Sequence, residues 1–127
     1  MIIDDPETKA EVEARFAAYE TALMTNDVAA LDDFFWPSPL ALRFGAGESL
    51  FGFDAIAAFR AARGGSPRRM LRNTRVTCFG TEYAVATTEF LRAEENRVGR
   101  QTQVWVKFPV IGWRIVSAHV SLVAERS

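Results

Sequence analysis

GRQTQVWVKFPVIGWRIVSAHVSL, residues 99 to 122, reads as two alternating segments joined by a short turn. Side chains of a strand point to opposite faces in turn. The first segment therefore sets Gln101, Gln103 and Trp105 against Thr102, Val104 and Val106. The same alternation in the second sets Trp113, Ile115, Ser117, His119 and Ser121 against Val116, Ala118, Val120 and Leu122. One face is apolar. The other mixes tryptophans with amides, an imidazole and hydroxyls, the make-up of a site for a small polar ligand. Neither is the charged face that a soluble monomer turns to water. We therefore expect one face to meet helices around a pocket and the other to cover a second copy of the chain.

Working outward, MLRNTRVTCFG and EYAVATTEFLR supply two earlier strands and complete a four-stranded antiparallel meander. Helices come before it. Asp5, Pro6 and Glu7 form a helix start, and Val12, Phe16, Tyr19 and Leu23 fall on one stripe of a helix from about 6 to 25, so Tyr19 faces inward. NDVAALDDFF, capped by Asn26 or Asp27, gives a short second helix that WPSP ends. LALRF reads as a short strand before the turn-rich GAGES. A third helix runs from a cap near Asp54 to Gly64 and Gly65, with Ile56 and Phe59 toward the core and Arg60 and Arg63 sharing a face beside them. Helices first and a long-stranded sheet after is the order of an α+β fold, here a single domain over 1–127. The three N-terminal helices pack on a curved, mainly antiparallel sheet enclosing a pocket.

Composition narrows the function classes. Fifteen basic and sixteen acidic residues give a net charge of −1, which provides no field for nucleic acid or a membrane surface. The one cysteine, Cys78, and the one histidine, His119, leave no ligand set for a structural zinc and no intramolecular disulfide. An acidic N-terminus and the lack of an apolar run of roughly 18 residues predict a soluble, unprocessed, cytoplasmic protein.

Several side chains are candidates for chemistry. His119 is either a satisfied core histidine or a donor to ligand; Ser117 and Ser121 flank it without the strained turn that exposes a serine nucleophile. Arg43 lies between Leu42 and Phe44, where an unpaired guanidinium would cost several kcal/mol. Its partner is Glu48, Glu89 or a ligand carboxylate. Arg60 and Arg63 are either solvated or turned inward, with Arg60 nearer the apolar stripe, and Arg72 and Arg100 are candidates for a pocket rim. Tyr19 is either an ordinary core tyrosine or a proton carrier: a phenol titrates near 10, and a guanidinium within about 4 to 6 Å favours its ionised form. The expected site thus has Tyr19 and Arg43 as catalytic groups, with Arg60, Arg72, Gln103, Trp105, His119 and Ser121 around the substrate and no metal or cofactor.

Helices followed by a meander ending in GWRIVSAHVS resemble the cone-shaped SnoaL-like branch of the nuclear-transport-factor-like superfamily. QTQVWVKF with GWRIVSAHVS is similar to the end of the calcium/calmodulin kinase association domain. LRFGAGESLFGFDAIAAFRAAR, GRQTQVWV and GWRIVSAHVSL together resemble the AtzH-like family, also called oxalurate-catabolism HpxZ-like proteins, over residues from about 4 to 124. The resemblance implies a bacterial cytosolic homodimer, linked to an amidase of ureide or triazine (cyanuric acid) nitrogen catabolism. It implies an amidohydrolase converting 1,3-dicarboxyurea to allophanate with loss of a carboxyl group and without a cofactor. It matches the family's tyrosine and arginine to Tyr19 and Arg43. The competing expectation, from the lack of a triad, acid pair or metal set, is a non-catalytic ligand-binding or accessory subunit of a neighbouring amidase.

Overall fold

The computed structural model describes residues 1–93 and 95–124. The sequence pattern extends the final strand through GWRIVSAHVSLVAE to Glu125, which lies outside these residues. Helix α1 spans Pro6–Met24. Asp5 caps it, its carboxylate accepting from the Thr8 amide at 3.1 Å and the Thr8 hydroxyl at 2.8 Å. Val12, Phe16, Tyr19 and Leu23 are all buried, as their spacing predicts. Helix α2, Val28–Asp33, is capped by Asp27. Strands β1 (Leu42–Phe44) and β2 (Ser49–Phe51) form a hairpin before α3 (Phe53–Arg63). Asp54 is not the cap of α3: Gly52, at φ +93°, precedes the helix, and Asp54 lies in its first turn, where a carboxylate still suits the helix dipole. Gly64 ends it in the left-handed conformation.

Strands β3 (Arg69–Phe79), β4 (Tyr83–Arg92), β5 (Val98–Phe108) and β6 (Gly112–Leu122) are the expected meander. The sheet is larger than four strands, with order β2-β1-β6-β5-β4-β3 and β1 parallel to β6. The chain returns from β2 through α3 to the far edge, so the helices lie against one concave face. Trp105, Ile115, Ala84, Ala86, Val76 and Cys78 bury themselves there against Val12, Phe16 and Tyr19. The Tyr19 ring meets Phe34 edge-on at 5.5 Å.

The pairing of β5 with β6 overturns one expectation. Val104 opposes Ser117, but Trp105 opposes Ile115, leaving Val116 as an extra residue in a β-bulge. Alternation reverses across it. Trp113 and Ile115 face the helices, and beyond the bulge so do Ala118 and Val120, opposite Gln103 and Gln101. Ser117, His119 and Ser121 therefore share the outer face with Val104, Thr102 and Arg100. The apolar stripe of Val116, Ala118, Val120 and Leu122 expected on the outside does not exist as one surface.

Candidate functional site

The inner face of β5 carries Gln101, Gln103 and Trp105 under the helices. An indole N–H can only donate. Trp105 Nε1 donates to Gln103 Oε1 at 3.1 Å, which fixes the amide with its NH2 side turned away. Gln103 is 1% exposed, and its neighbours across the sheet are Ala86 on β4 and Ala118 on β6. Gln103 thus has a small side chain on either side of it. Gln101 is held in the same way: Arg69 Nη2, another obligatory donor, donates to its Oε1 at 3.0 Å. Its Nε2 is buried and meets no acceptor among the described residues. Arg69 is itself seated by Glu20 of α1, which accepts from Nε at 3.0 Å and from Nη2 at 2.7 Å, and by the Phe90 ring beneath its guanidinium at 4.6 Å. A Cβ on Gly99 would collide with that ring, so glycine is required for Phe90 to lie across β5.

Arg43 of β1 lies in the same cross-strand row as Gln103, with Ala118 between them. Two strand spacings set their backbones about 10 Å apart. Arg43 is 8% exposed, and its Nη1 donates to Glu48 Oε1 at 2.8 Å. The Phe59 ring of α3 takes two guanidiniums, Arg43 at 5.5 Å and Arg63 at 6.0 Å from its centroid. Arg63 makes no ion pair among the described residues. Its pKa is pushed down, first by burial and then by the like charge of Arg43, while Tyr19 and Glu48 act the other way. The Tyr19 hydroxyl has no hydrogen-bond partner among the described residues, although the side chain is buried. The guanidiniums of Arg43 and Arg63, the Tyr19 phenol and the Glu48 carboxylate thus lie within electrostatic reach of one another on the concave side.

A family model described as AtzH-like matches residues 1–126. The chain belongs to the AtzH-like family. No curated protein matches it. Among solved structures, it is similar to a protein of unknown function from Pectobacterium atrosepticum, with 50% identity, a TM-score of 0.93, and 96% of this chain and 95% of that one covered. A cystatin-like fold protein from Burkholderia xenovorans has 41% identity, a TM-score of 0.95 and 99% of both chains covered. A nuclear transport factor 2-like superfamily protein from Salmonella enterica has 24% identity and a TM-score of 0.72, with 95% of this chain and 93% of that one covered, and shows the shared fold.

In this AtzH-like protein the expected site residues divide into two groups. Tyr19, Arg43, Gln103 and Trp105 belong to the concave side. Four others do not join them. Arg60 ion-pairs with Asp32 at 3.4 Å and lies over Phe35, tying α3 to α2. Arg72 pairs with Glu89 at 3.1 Å, opposite it in the register of β3 and β4 and on the outer face. His119 and Ser121 line a shallow outer cleft of about 400 Å³ with Arg100 and Thr102, His119 packing edge-on to Phe44 at 5.6 Å. The Val116 bulge is the reason for both. The expected set around the substrate leaves out Gln101 and Arg63, although both stand among the residues weighed for it, and it has no place for the Glu20–Arg69 pair. Gln101 was signalled by its two-residue spacing from Gln103. Arg63 was signalled only by its position one turn after Phe59. Among the described residues no three His, Cys, Asp or Glu side chains gather as a metal site.

Proposed function

We propose that this protein is a small decarboxylating amidohydrolase acting on a carboxylated urea such as 1,3-dicarboxyurea, giving allophanate in bacterial nitrogen catabolism. The observation that carries the reading is the pair of guanidiniums on Phe59, Arg43 and Arg63, answered by Glu48 alone among the described residues. A dianion fits such a site. Arg43 and Arg63 hold the carboxylate that is retained and polarise the adjacent urea carbonyl. The departing carboxyl lies away from them, since a cation on it would stabilise the charge that has to be lost. The bond from urea nitrogen to that carboxyl carbon breaks, its electron pair stays on nitrogen, and nitrogen takes the proton that Tyr19 delivers. The carbon leaves as CO2, and solvent restores the phenol proton. Dicarboxyurea dianion and one proton thus become allophanate and CO2, and the water of the net amide hydrolysis enters when CO2 hydrates to bicarbonate.

The test is purified protein mixed with 1,3-dicarboxyurea, with CO2 and allophanate measured. Wild type is expected to turn over and Tyr19→Phe to lose roughly 10²-fold or more in kcat, the usual weight of one acid–base group. Full activity in Tyr19→Phe would remove the phenol from the mechanism. A second reading, an accessory subunit of an amidase, is favoured by Leu40 and Phe51, 77% and 71% exposed around the β1–β2 hairpin. Co-purification with a neighbouring amidase, without turnover by the isolated protein, would select it. Self-association through the outer sheet face, where Val85, Val104 and Val106 adjoin, fits either reading. Both place the protein in the cytoplasm.

A further inference from the structure

Two glutamines two residues apart on one strand face, both nearly fully buried, each spend their carbonyl on an obligatory donor. The consequence is chemical polarity. With Oε1 of Gln101 held by Arg69 and Oε1 of Gln103 held by Trp105, each amide is fixed in orientation, and its NH2 group makes no hydrogen bond among the described residues. Gln101 Nε2 has no acceptor among the described residues, and a buried donor left unpaired costs about 1–3 kcal/mol. That cost is recovered when something brings an acceptor to it. Arg69 is not free to swing away and let the amide turn over, because Glu20 grips it with both oxygens and Phe90 lies beneath it.

We infer that Gln101 and Gln103 form a neutral two-donor clamp for the end of the ligand remote from Arg43, selecting a carboxylate there and rejecting a primary amide. This rests on the carboxylated-urea reading and gives it a direction. A carboxylate brings two acceptor oxygens to two donors. A terminal amide brings one oxygen and sets its own NH2 against the second donor. Neutral donors also suit the end that leaves as CO2, since they stabilise its charge less than a guanidinium does. Once that end has become an NH2 group, it faces the clamp with the wrong polarity, and the product is expelled. Arg69 and Glu20 act through Gln101 as positioning residues.

The experiment is calorimetric titration with glutarate, whose five-atom chain matches that of a dicarboxyurea, and with glutaramate, which replaces one carboxylate by an amide. Wild type is expected to prefer glutarate by about tenfold or more, the size of one unpaired buried donor. Gln101→Glu keeps an acceptor for Arg69 and removes the donor, and is expected to reduce the ratio to about one or below. Gln101→Met, checked for folding by its melting temperature, should level the ratio as well. Equal binding of the two probes by wild type, as when the donor serves only a resident water, would overturn the inference. So would an unchanged ratio in a folded Gln101 variant, or no binding of either probe at millimolar concentration. Selective binding by a protein that never turns over dicarboxyurea would overturn the hydrolase reading and leave the clamp standing; turnover with no selectivity would do the reverse.

Discussion

Glu48 occupies the place at Arg43 that a ligand carboxylate would take. It reaches back because residue 45 is glycine: a Cβ there would strike the Glu48 carboxylate. On the proposed function, anion binding at Arg43 is therefore an exchange of one carboxylate for another. With the pair partly exposed, releasing it is worth about 1 kcal/mol. Glu48→Gln is accordingly expected to tighten glutarate binding roughly fivefold in a calorimetric titration; weaker binding would mean that Glu48 aims the guanidinium. The burial of Arg43 is legible in the sequence because Leu42 and Phe44 flank it in a strand. Its partner is not, since Glu48 and Glu89 are both plausible until the GAGE turn is folded. Glu89 in fact accepts from Arg72 and Asn73 on the other side of the sheet. The inward face of Tyr19 follows from helix pitch, whereas the divergence of Arg60 toward Asp32 and Arg63 toward Phe59 depends on how α3 seats against α2, which helical spacing does not encode.

Among elements, the order and approximate limits of the helices and four long strands are legible from caps, prolines and alternation. The three-residue β2 is too short to show a period, and the Val116 bulge is invisible because an alternating run carries no mark of a residue inserted into it. Ten residues of β5 facing eleven of β6 become apparent only when the strands are paired. Two contacts between elements can be tested. Phe90 lies fully buried against Gly99, so Gly99→Ala overfills a space bounded by a rigid ring and is expected to cost about 1–3 kcal/mol in urea denaturation. An unchanged midpoint would show that the ring can move aside. Glu11 pins α1 to the sheet by accepting from Trp113 Nε1 at 2.8 Å and Lys107 Nζ at 2.9 Å. The Trp113 bond, followed by that to Lys107, holds its carboxyl below the ordinary 4.5. A depressed carboxylate contributes stability that is present above its unfolded value and lost as pH falls through the folded one. Wild type should thus exceed Glu11→Gln in melting temperature at neutral pH, with the gap closing below about pH 4; a gap constant through that range would show that the charge contributes nothing.

For the whole molecule, covering one sheet face with helices leaves the other to water or to a partner. At the centre of that face Val85, Val104 and Val106 adjoin Thr87 and Thr102, and Arg100, Glu89 and His119 lie around them. Covering a few hundred Å² of such surface is worth several kcal/mol at roughly 25 cal/mol per Å². A two-fold dimer is the commonest means. Light scattering at micromolar concentration is expected to give about twice the 14.2 kDa of one chain, and a monomer would show that the hydroxyls and charges of this face keep it wet. The bulge gives β6 a further property. Past Val116, successive codons belong alternately to two different jobs: 117, 119 and 121 write the exterior, while 118 and 120 write the face under the helices. On the proposed function, a laboratory wishing to retune ligand preference would leave the protein's one histidine alone and enlarge Ala118, the small step between Arg43 and Gln103, and one wishing to alter the proposed assembly would do the opposite, each one residue away from the other's territory.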